Sequence, residues 1–257
     1  MQSLLNTTVF ITGASSGIGR SCAYAFAKAG AKLLLCARRG DRLAQLTSDL
    51  EKEYPGISIL TFELDVRDRN AVEDELNALP DQWKAIDVLV NNAGLSRGLD
   101  KLHEGLIEDW EEMLDTNVKG LLYITRTVVP WMVARATGHI INIGSIAGHE
   151  VYPKGNVYCA SKYAVDALTK GLRIDLVDTP LRVTTVDPGL VETEFSMVRF
   201  HGDEARATPV YKGFTPLSPD DVADAVVWSA SRPAHVQIAE IIILPTSQAS
   251  ATTVHRV

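Results

Sequence analysis

The sequence is poor in cysteine, with three in 257 residues: Cys22, Cys36 and Cys159. They are scattered, odd in number and without a Cys-x-x-Cys pair or a nearby pair of histidines. Neither a disulfide scaffold nor a zinc site is therefore expected, and a reducing, cytoplasmic setting suits them. The 6 histidines (103, 139, 149, 201, 235 and 255) are equally dispersed, which argues against a metal centre. Positive charge is short as well, at 25 Lys and Arg against 32 Asp and Glu, a net charge of -7. Such a chain lacks the basic field that nucleic-acid backbones require, so no nucleic-acid partner is expected. No apolar run approaches the roughly 18 residues that span a bilayer, so no membrane partner is expected either. The start, Met1-Gln-Ser-Leu-Leu-Asn6, places no basic stretch ahead of an apolar one, and a secretory signal is not expected. Val254-His-Arg-Val257 matches no retention or peroxisomal address. Pro, Gly and Ser nowhere gather into a linker, and 46% hydrophobic residues exclude disorder or a fibrous repeat. A single domain over residues 1–257, with a sizeable core, is the expectation.

What is present is alternation. Short apolar runs at Val9–Thr12, Lys32–Cys36, Ile57–Glu63, Val88–Asn91, His139–Ile143, Val183–Val186 and Ile241–Leu244 read as strands buried on both faces. Between them, helical patterns cover Ile18–Ala29, Asp41–Glu53, Asn70–Leu79, Ile107–Val133, Val157–Leu176 and Pro219–Ala230, the last preceded by the capping residue Ser218. Strand–helix alternation predicts an α/β fold, a doubly wound parallel sheet with right-handed crossovers and helices on both faces. The stretch from Leu190 to Thr215 follows neither period and is expected to be a substrate lid.

The first strand runs into Thr12-Gly13-Ala14-Ser15-Ser16-Gly17-Ile18-Gly19 and then a helix. Glycines at that junction let the backbone approach a pyrophosphate, whose charge rests on the helix N-terminus. The spacing is Gly-x-x-x-Gly-x-Gly, and no Lys-Ser or Lys-Thr follows to make a Walker loop. An NAD site wants a carboxylate roughly 20 residues further on, against the ribose 2′-hydroxyl. This chain instead has Arg38-Arg39 after its second strand, with no acid until Asp41. Two guanidiniums suit a 2′-phosphate, and cations are unfavourable at a helix N-terminus without one, so NADP is the expected cofactor. Asp65-Val66 ends the third strand, where it could meet an adenine. Asn91-Asn92-Ala93-Gly94 ends the fourth, where it could form a tight loop against a ribose.

Tyr158-Cys-Ala-Ser-Lys162 places a phenol and an ammonium on one helix face. A free tyrosine titrates near ~10, and a neighbouring cation would lower it toward the range of useful acid–base catalysis. Tyr24 and Lys28 share the spacing but lie on a helix expected to pack on the sheet, so that pair reads as structural. Ser145 ends the fifth strand, where its hydroxyl could hold a substrate oxygen as charge develops. Asn117 is a poor helix former inside a helical stretch, and could anchor a water relaying protons from Lys162.

Asn117, Ser145, Tyr158 and Lys162, taken with the glycine loop and Asn91-Asn-Ala-Gly94, resemble the classical short-chain dehydrogenase/reductase superfamily over essentially the whole chain. That resemblance implies a seven-stranded Rossmann sheet, Tyr158 as general acid/base and Lys162 also bonding the nicotinamide ribose. It implies Ser145 orienting the carbonyl, Asn117 serving the proton relay, and Pro188, Gly189, Val191 and Thr193 meeting the nicotinamide amide. Arg38 and Arg39 match its NADP-preferring subset.

Three stretches are similar to the NADP-dependent 3-hydroxy acid dehydrogenases, also called serine or L-allo-threonine dehydrogenases, of yeasts and bacteria. They are Gly144-Ser-Ile-Ala-Gly148 through Tyr152-Pro-x-Gly155-Asn-Val-Tyr158, Gly189-Leu-Val-Glu-Thr-Glu-Phe-Ser-Met-Val-Arg-Phe200, and Pro245-Thr-Ser-Gln248-Ala. The resemblance implies oxidation of small 3-hydroxy acids and a homotetramer. A carboxylate substrate needs a cation near the lid, for which Arg199 is the first candidate and Lys154 the second. Arg199 capping lid backbone or meeting cofactor phosphates is the alternative. Two other functions stay open: a ketone, diketone or 3-oxoacyl-thioester reductase, and a non-catalytic NADP sensor.

Overall fold

A computed structural model describes residues 3–257. Seven strands form one sheet in the order β3-β2-β1-β4-β5-β6-β7. They are β1 (Thr8–Thr12), β2 (Lys32–Ala37), β3 (Ile59–Glu63), β4 (Val88–Asn91), β5 (His139–Ile143), β6 (Arg182–Pro188) and β7 (Glu240–Ile243). Every pairing is parallel. The helices are α1 (Gly17–Lys28), α2 (Gly40–Glu53), α3 (Arg69–Ala78), α4 (Asp81–Lys84), α5 (Ile107–Leu114), α6 (Leu121–Ala134), α7 (Asn156–Asp175), α8 (Phe195–Arg199), α9 (Glu204–Ala207) and α10 (Pro219–Ala230).

The strands lack alternation because both faces are covered. Val9, Ile11, Leu33, Leu35, Val88 and Val90 pack against α1, α2 and α10. The intervening Phe10, Leu34, Cys36 and Leu89 pack against α3, α6 and the end of α7. Side chains alternate between faces, so an unbroken apolar run feeds two cores at once. A third, smaller cluster joins Leu95, Met113, Ala147, Tyr158 and Cys159. It lies where the chain leaves the sheet's carboxyl edge.

Strands β4 and β5 and helix α10 match the sequence expectation to the residue, and Ser218 forms a full capping box with Asp221. Two expectations are corrected. The helix expected over Ile107–Val133 is broken by a π turn at Asp115–Gly120, where one extra residue enters the turn around Asn117. The Leu190–Thr215 stretch carries α8, α9 and a short 3-10 turn at Thr208–Tyr211, each too brief to show a period in sequence.

Candidate functional site

The order of the sheet reverses between β1 and β4, which is where open α/β sheets bind ligands beyond their carboxyl ends. A deep crevice lies there, walled by the glycine loop, the ends of β2 through β6 and the 190–215 stretch. Gly13 adopts φ +66°, and a Cβ on it would lie 2.9 Å from the Ala93 backbone. Only glycine lets the loop fold this tightly against the end of β4. Gly13, Ser15, Ser16, Gly17 and Ile18 face the crevice, as do Val66, Ala93, Gly94, Pro188, Gly189, Val191 and Thr193.

Asp65 and Asn92 also line the crevice, and several of the expected contact residues brace its wall. Ala14 is buried and its N–H donates to the Cys36 carbonyl. Gly19 lies inside α1, abutting Asn92 and the Gly13 carbonyl. Asn91 is turned into the sheet, where its Nδ2 donates to Thr125 Oγ1 at 3.1 Å and Asn142 Oδ1 at 2.9 Å. Asn92 reaches the crevice wall, but its Nδ2 donates to the carbonyls of Thr12 and Gly13 at 2.8 and 3.2 Å, stapling the loop to β4. Asp65 is clamped by Arg67, whose Nε lies 2.9 Å from both carboxylate oxygens. Burial pushes the Asp65 carboxyl up, but Arg67 holds it below the usual carboxylate range.

Arg38 and Arg39 stand at the mouth, beyond β2. Arg39 Nη2 donates to Ser16 Oγ at 2.8 Å, and its Nη1 lies 3.2 Å from Glu194 Oε2. Arg42 joins them, 2.7 Å from Glu194 Oε1. Arg38 lies 3.5 Å from Glu112 Oε1, which Arg67 and Arg97 also approach. Arg39 and Arg42 meet on the Glu194 carboxylate and Arg39 also reaches the hydroxyls of Ser15 and Ser16, a donor set on which an anion already sits, while Arg38 stands beside them turned to Glu112. The residues therefore fit a nucleotide bearing a 2′-phosphate.

The polar tetrad converges from three places: the π turn, the end of β5 and α7. Lys162, on α7, is buried and donates from Nζ to the Ile143 carbonyl at 2.9 Å. Its Nζ is 5.9 Å from the centre of the Tyr158 ring. Ser145 is buried beside them, with its Oγ accepting from Ala147 N at 3.1 Å and its own N–H donating to Asp187 Oδ1 at 3.1 Å. Asn117 sits on the π turn. Its Oδ1 accepts from Leu95 N at 2.8 Å, and its two amide hydrogens go to the Leu95 carbonyl at 2.8 Å and Ser161 Oγ at 3.0 Å. With both hydrogens taken, this side chain clamps the loop after β4 to α7.

The acid–base balance is also corrected. Burial raises the Tyr158 phenol above its ordinary value, Tyr152 adds to that, and Arg199 and the Ser145 hydroxyl oppose it. Burial lowers the Lys162 ammonium to about 8, against the upward pull of Asp187. Desolvation is the largest cause for both groups and favours the neutral form of each.

Arg199 enters the crevice from α8. Its Nε donates to Ser96 Oγ at 3.0 Å and its Nη2 to Tyr152 Oη at 2.9 Å. The guanidinium carbon stands 5.4 Å from the Tyr158 ring centre and 5.0 Å from that of Phe195. Among the described residues no carboxylate lies within 4.0 Å of it, so this cation is held by neutral groups. Lys154 is placed elsewhere, on a neighbouring surface hollow with Asp100 and Asn156. Tyr24, the spare tyrosine, packs on the first core and accepts from Arg20 at 3.3 Å, away from the crevice. Ser96, Tyr152 and Ser161 were not expected as site residues, nor was Gln248, whose Oε1 accepts from Leu190 N at 2.9 Å. Each is an ordinary polar residue whose role arises only from what folds against it.

The family model for short chain dehydrogenase matches residues 7–204. An NADP-dependent 3-hydroxy acid dehydrogenase of Salmonella typhi is 49% identical over 250 residues, covering 96% of this chain and 99% of its own length. One from Schizosaccharomyces pombe is 44% identical over 257 residues, covering 100% of this chain and 99% of its own. Among solved structures, the closed form of serine dehydrogenase complexed with NADP+ is 46% identical, with a TM-score of 0.92 over 98% of this chain and 100% of that one.

The buried ammonium makes stability depend on pH. Because the folded chain holds the Lys162 proton less tightly than the unfolded one, the penalty is complete below about 8 and is relieved as pH rises toward 10.5. Against Lys162→Met, the parent chain should gain stability between these limits, by roughly 3 kcal/mol at most. Urea unfolding of both proteins across that range checks it, and parallel pH profiles would contradict it.

Proposed function

The chain belongs to the short-chain dehydrogenase family, and on that basis we propose that it is an NADP-dependent oxidoreductase acting on the 3-hydroxyl of small 3-hydroxy acids such as serine, L-allo-threonine and 3-hydroxyisobutyrate. The observation that carries this reading is Arg199, a cation with no carboxylate partner among the described residues, standing 5.4 Å from the Tyr158 ring inside the crevice. A substrate carboxylate on Arg199 would bring the neighbouring hydroxyl to Tyr158 and Ser145. Arg39, with Arg38 and the hydroxyls of Ser15 and Ser16, would hold the 2′-phosphate of NADP, and Glu194 would then share or yield Arg39.

When bound, the nicotinamide accepts the hydride in oxidation or supplies it in reduction. The Ser145 hydroxyl bonds the substrate oxygen and Tyr158 exchanges its proton. With its phenol raised by burial, Tyr158 holds that proton at neutral pH and is ready to give it to a carbonyl. Oxidation needs the phenolate, and Lys162 favours it whenever its own ammonium is charged. Asn117 supports the relay by fixing Leu95 and Ser161 beside Lys162. The 190–215 stretch acts as the lid on a single domain. Free, buried Cys22, Cys36 and Cys159 suit a cytoplasmic enzyme. Exposed Ile174 and Val177 at the end of α7, Trp228 on α10 and Ile242 on the edge strand β7 suit subunit contacts in a homotetramer.

Initial rates with NADP+ on L-serine, D-serine, L-allo-threonine, 3-hydroxyisobutyrate and a matched uncharged secondary alcohol test the substrate class. The acids should lead by about an order of magnitude and Arg199→Ala should erase that lead, consistent with loss of a charge-assisted bond. An equal rate on the uncharged alcohol would instead mark a ketone reductase. Tyr158→Phe should cut turnover by roughly 10²–10⁴ while NADP affinity stays within a few-fold, since only proton transfer is removed. Arg38→Ala combined with Arg39→Ala should weaken NADPH far more than NADH in fluorescence titrations. Equal weakening would make these arginines structural.

A further inference from the structure

Behind Ser145, outside the crevice lining, three residues distant in sequence meet: His149 after the short turn Ile146–Gly148, Asp187 on β6 and Glu240 on β7. Each offers one ligand atom, and these atoms lie within 4.8 Å of one another. We propose that His149, Asp187 and Glu240 form a binding site for one divalent transition-metal cation of the zinc class.

The spacing suits a metal. His149 Nε2 is 3.2 Å from Asp187 Oδ2 and 3.6 Å from Glu240 Oε1. Nitrogen and oxygen donors about 2.0–2.2 Å from a tetrahedral zinc stand roughly 3.3–3.5 Å apart.

The polar groups are also left unmatched in a telling way. Asp187 is 1% exposed. Its Oδ1 accepts from Ser145 N at 3.1 Å and Thr185 Oγ1 at 2.8 Å. Its Oδ2 is buried with no well-formed hydrogen bond, and His149 Nε2 is left in the same state although it lies 3.2 Å from that oxygen. A cation lying between the three donors satisfies both atoms at once.

No other positive group does this work. Lys170 Nζ is 2.8 Å from Asp166 Oδ2, and Arg173 donates to the carbonyls of Val183 at 3.0 Å and Ala239 at 2.7 Å. Lys162 is held by Ile143. Among the described residues, no lysine or arginine lies within 4.0 Å of either carboxylate.

The donor set selects the metal. One imidazole nitrogen with two carboxylates suits zinc or cobalt, whereas magnesium prefers oxygen ligands alone. The His149 and Glu240 side chains are 19% and 31% exposed, leaving a path of entry and a side on which water can complete the coordination. Because the Asp187 carboxylate also accepts from Ser145 N–H, a metal on its other oxygen would stiffen the strand end that carries Ser145. Gly144 belongs to the same arrangement, since a Cβ there would collide with Asp187 Oδ1.

The test is titration of the metal-stripped, NADP-loaded protein with Co²⁺, read by its visible d–d bands, and with Zn²⁺ by equilibrium dialysis. One equivalent per chain is expected, with d–d intensity typical of a low-coordinate site, a higher melting temperature on binding and no competition from equimolar Mg²⁺. Glu240→Gln and His149→Ala should each weaken Co²⁺ and Zn²⁺ by at least about tenfold, with retained NADP binding reporting that the variants fold. Substoichiometric binding, or equal affinity in parent and variants, would overturn the proposal. So would a folded, metal-indifferent protein in which nitrogen-detected NMR finds His149 as an imidazolium bridging the two carboxylates.

Discussion

Seven strands running the same way leave all their carboxyl ends on one edge of the sheet, and the rest of this structure follows from that constraint. A parallel strand must be followed by a crossover, so each carboxyl end opens into a loop rather than a hairpin. Where the order reverses between β1 and β4, two such loops diverge and leave a crevice. The glycine loop, Asn92, Ser145 and Pro188 all leave strands at this edge, and α7 returns Tyr158 and Lys162 to it. Five parts of the chain meet there.

Burial then sets the chemistry. Tyr158, Lys162 and Asp187 are shifted toward their neutral forms first of all by loss of water, and neighbouring charges correct that only in part. A proton on Tyr158 is therefore the default state of the proposed acid–base group. At the mouth the balance is different. The exposed guanidiniums of Arg38, Arg39 and Arg42 are matched by Glu112 and Glu194, side chains from α5 and from just before α8. Exposed pairs of this kind are individually weak, so a phosphate, with more charge and more acceptor oxygens, can take their place. Because Glu194 lies on the 190–215 stretch, its pairs with Arg39 and Arg42 tie that stretch to the mouth of the crevice.

Much of the fold was legible because it rests on local rules. Unbroken apolar runs such as Leu33–Cys36 mark strands with two buried faces, and Ser218-Pro219-Asp-Asp221 marks a helix start by capping alone. The glycine loop was legible for the same reason, since its spacing encodes a local turn. The π turn at Asp115–Gly120 was not, because the inserted residue keeps helical composition and is stabilised from outside, by Leu95 and Ser161. Nor were α8 and α9, which are shorter than the period that would reveal them.

The sequence by itself determined the class of fold, the tight glycine loop, the Arg38-Arg39 pair after β2 and the Tyr158–Lys162 pair, because each is a short-range pattern. Tertiary structure alone decided that Asn91 turns into the sheet and that Asn92 staples the glycine loop to β4. It placed Arg199 rather than Lys154 over Tyr158, and it gathered His149, Asp187 and Glu240 from three separate elements. It also reversed the expected direction of the Tyr158 shift. The physical reason is common to all of these: burial and long-range contact depend on what the rest of the chain brings alongside, and no spacing along one segment encodes that.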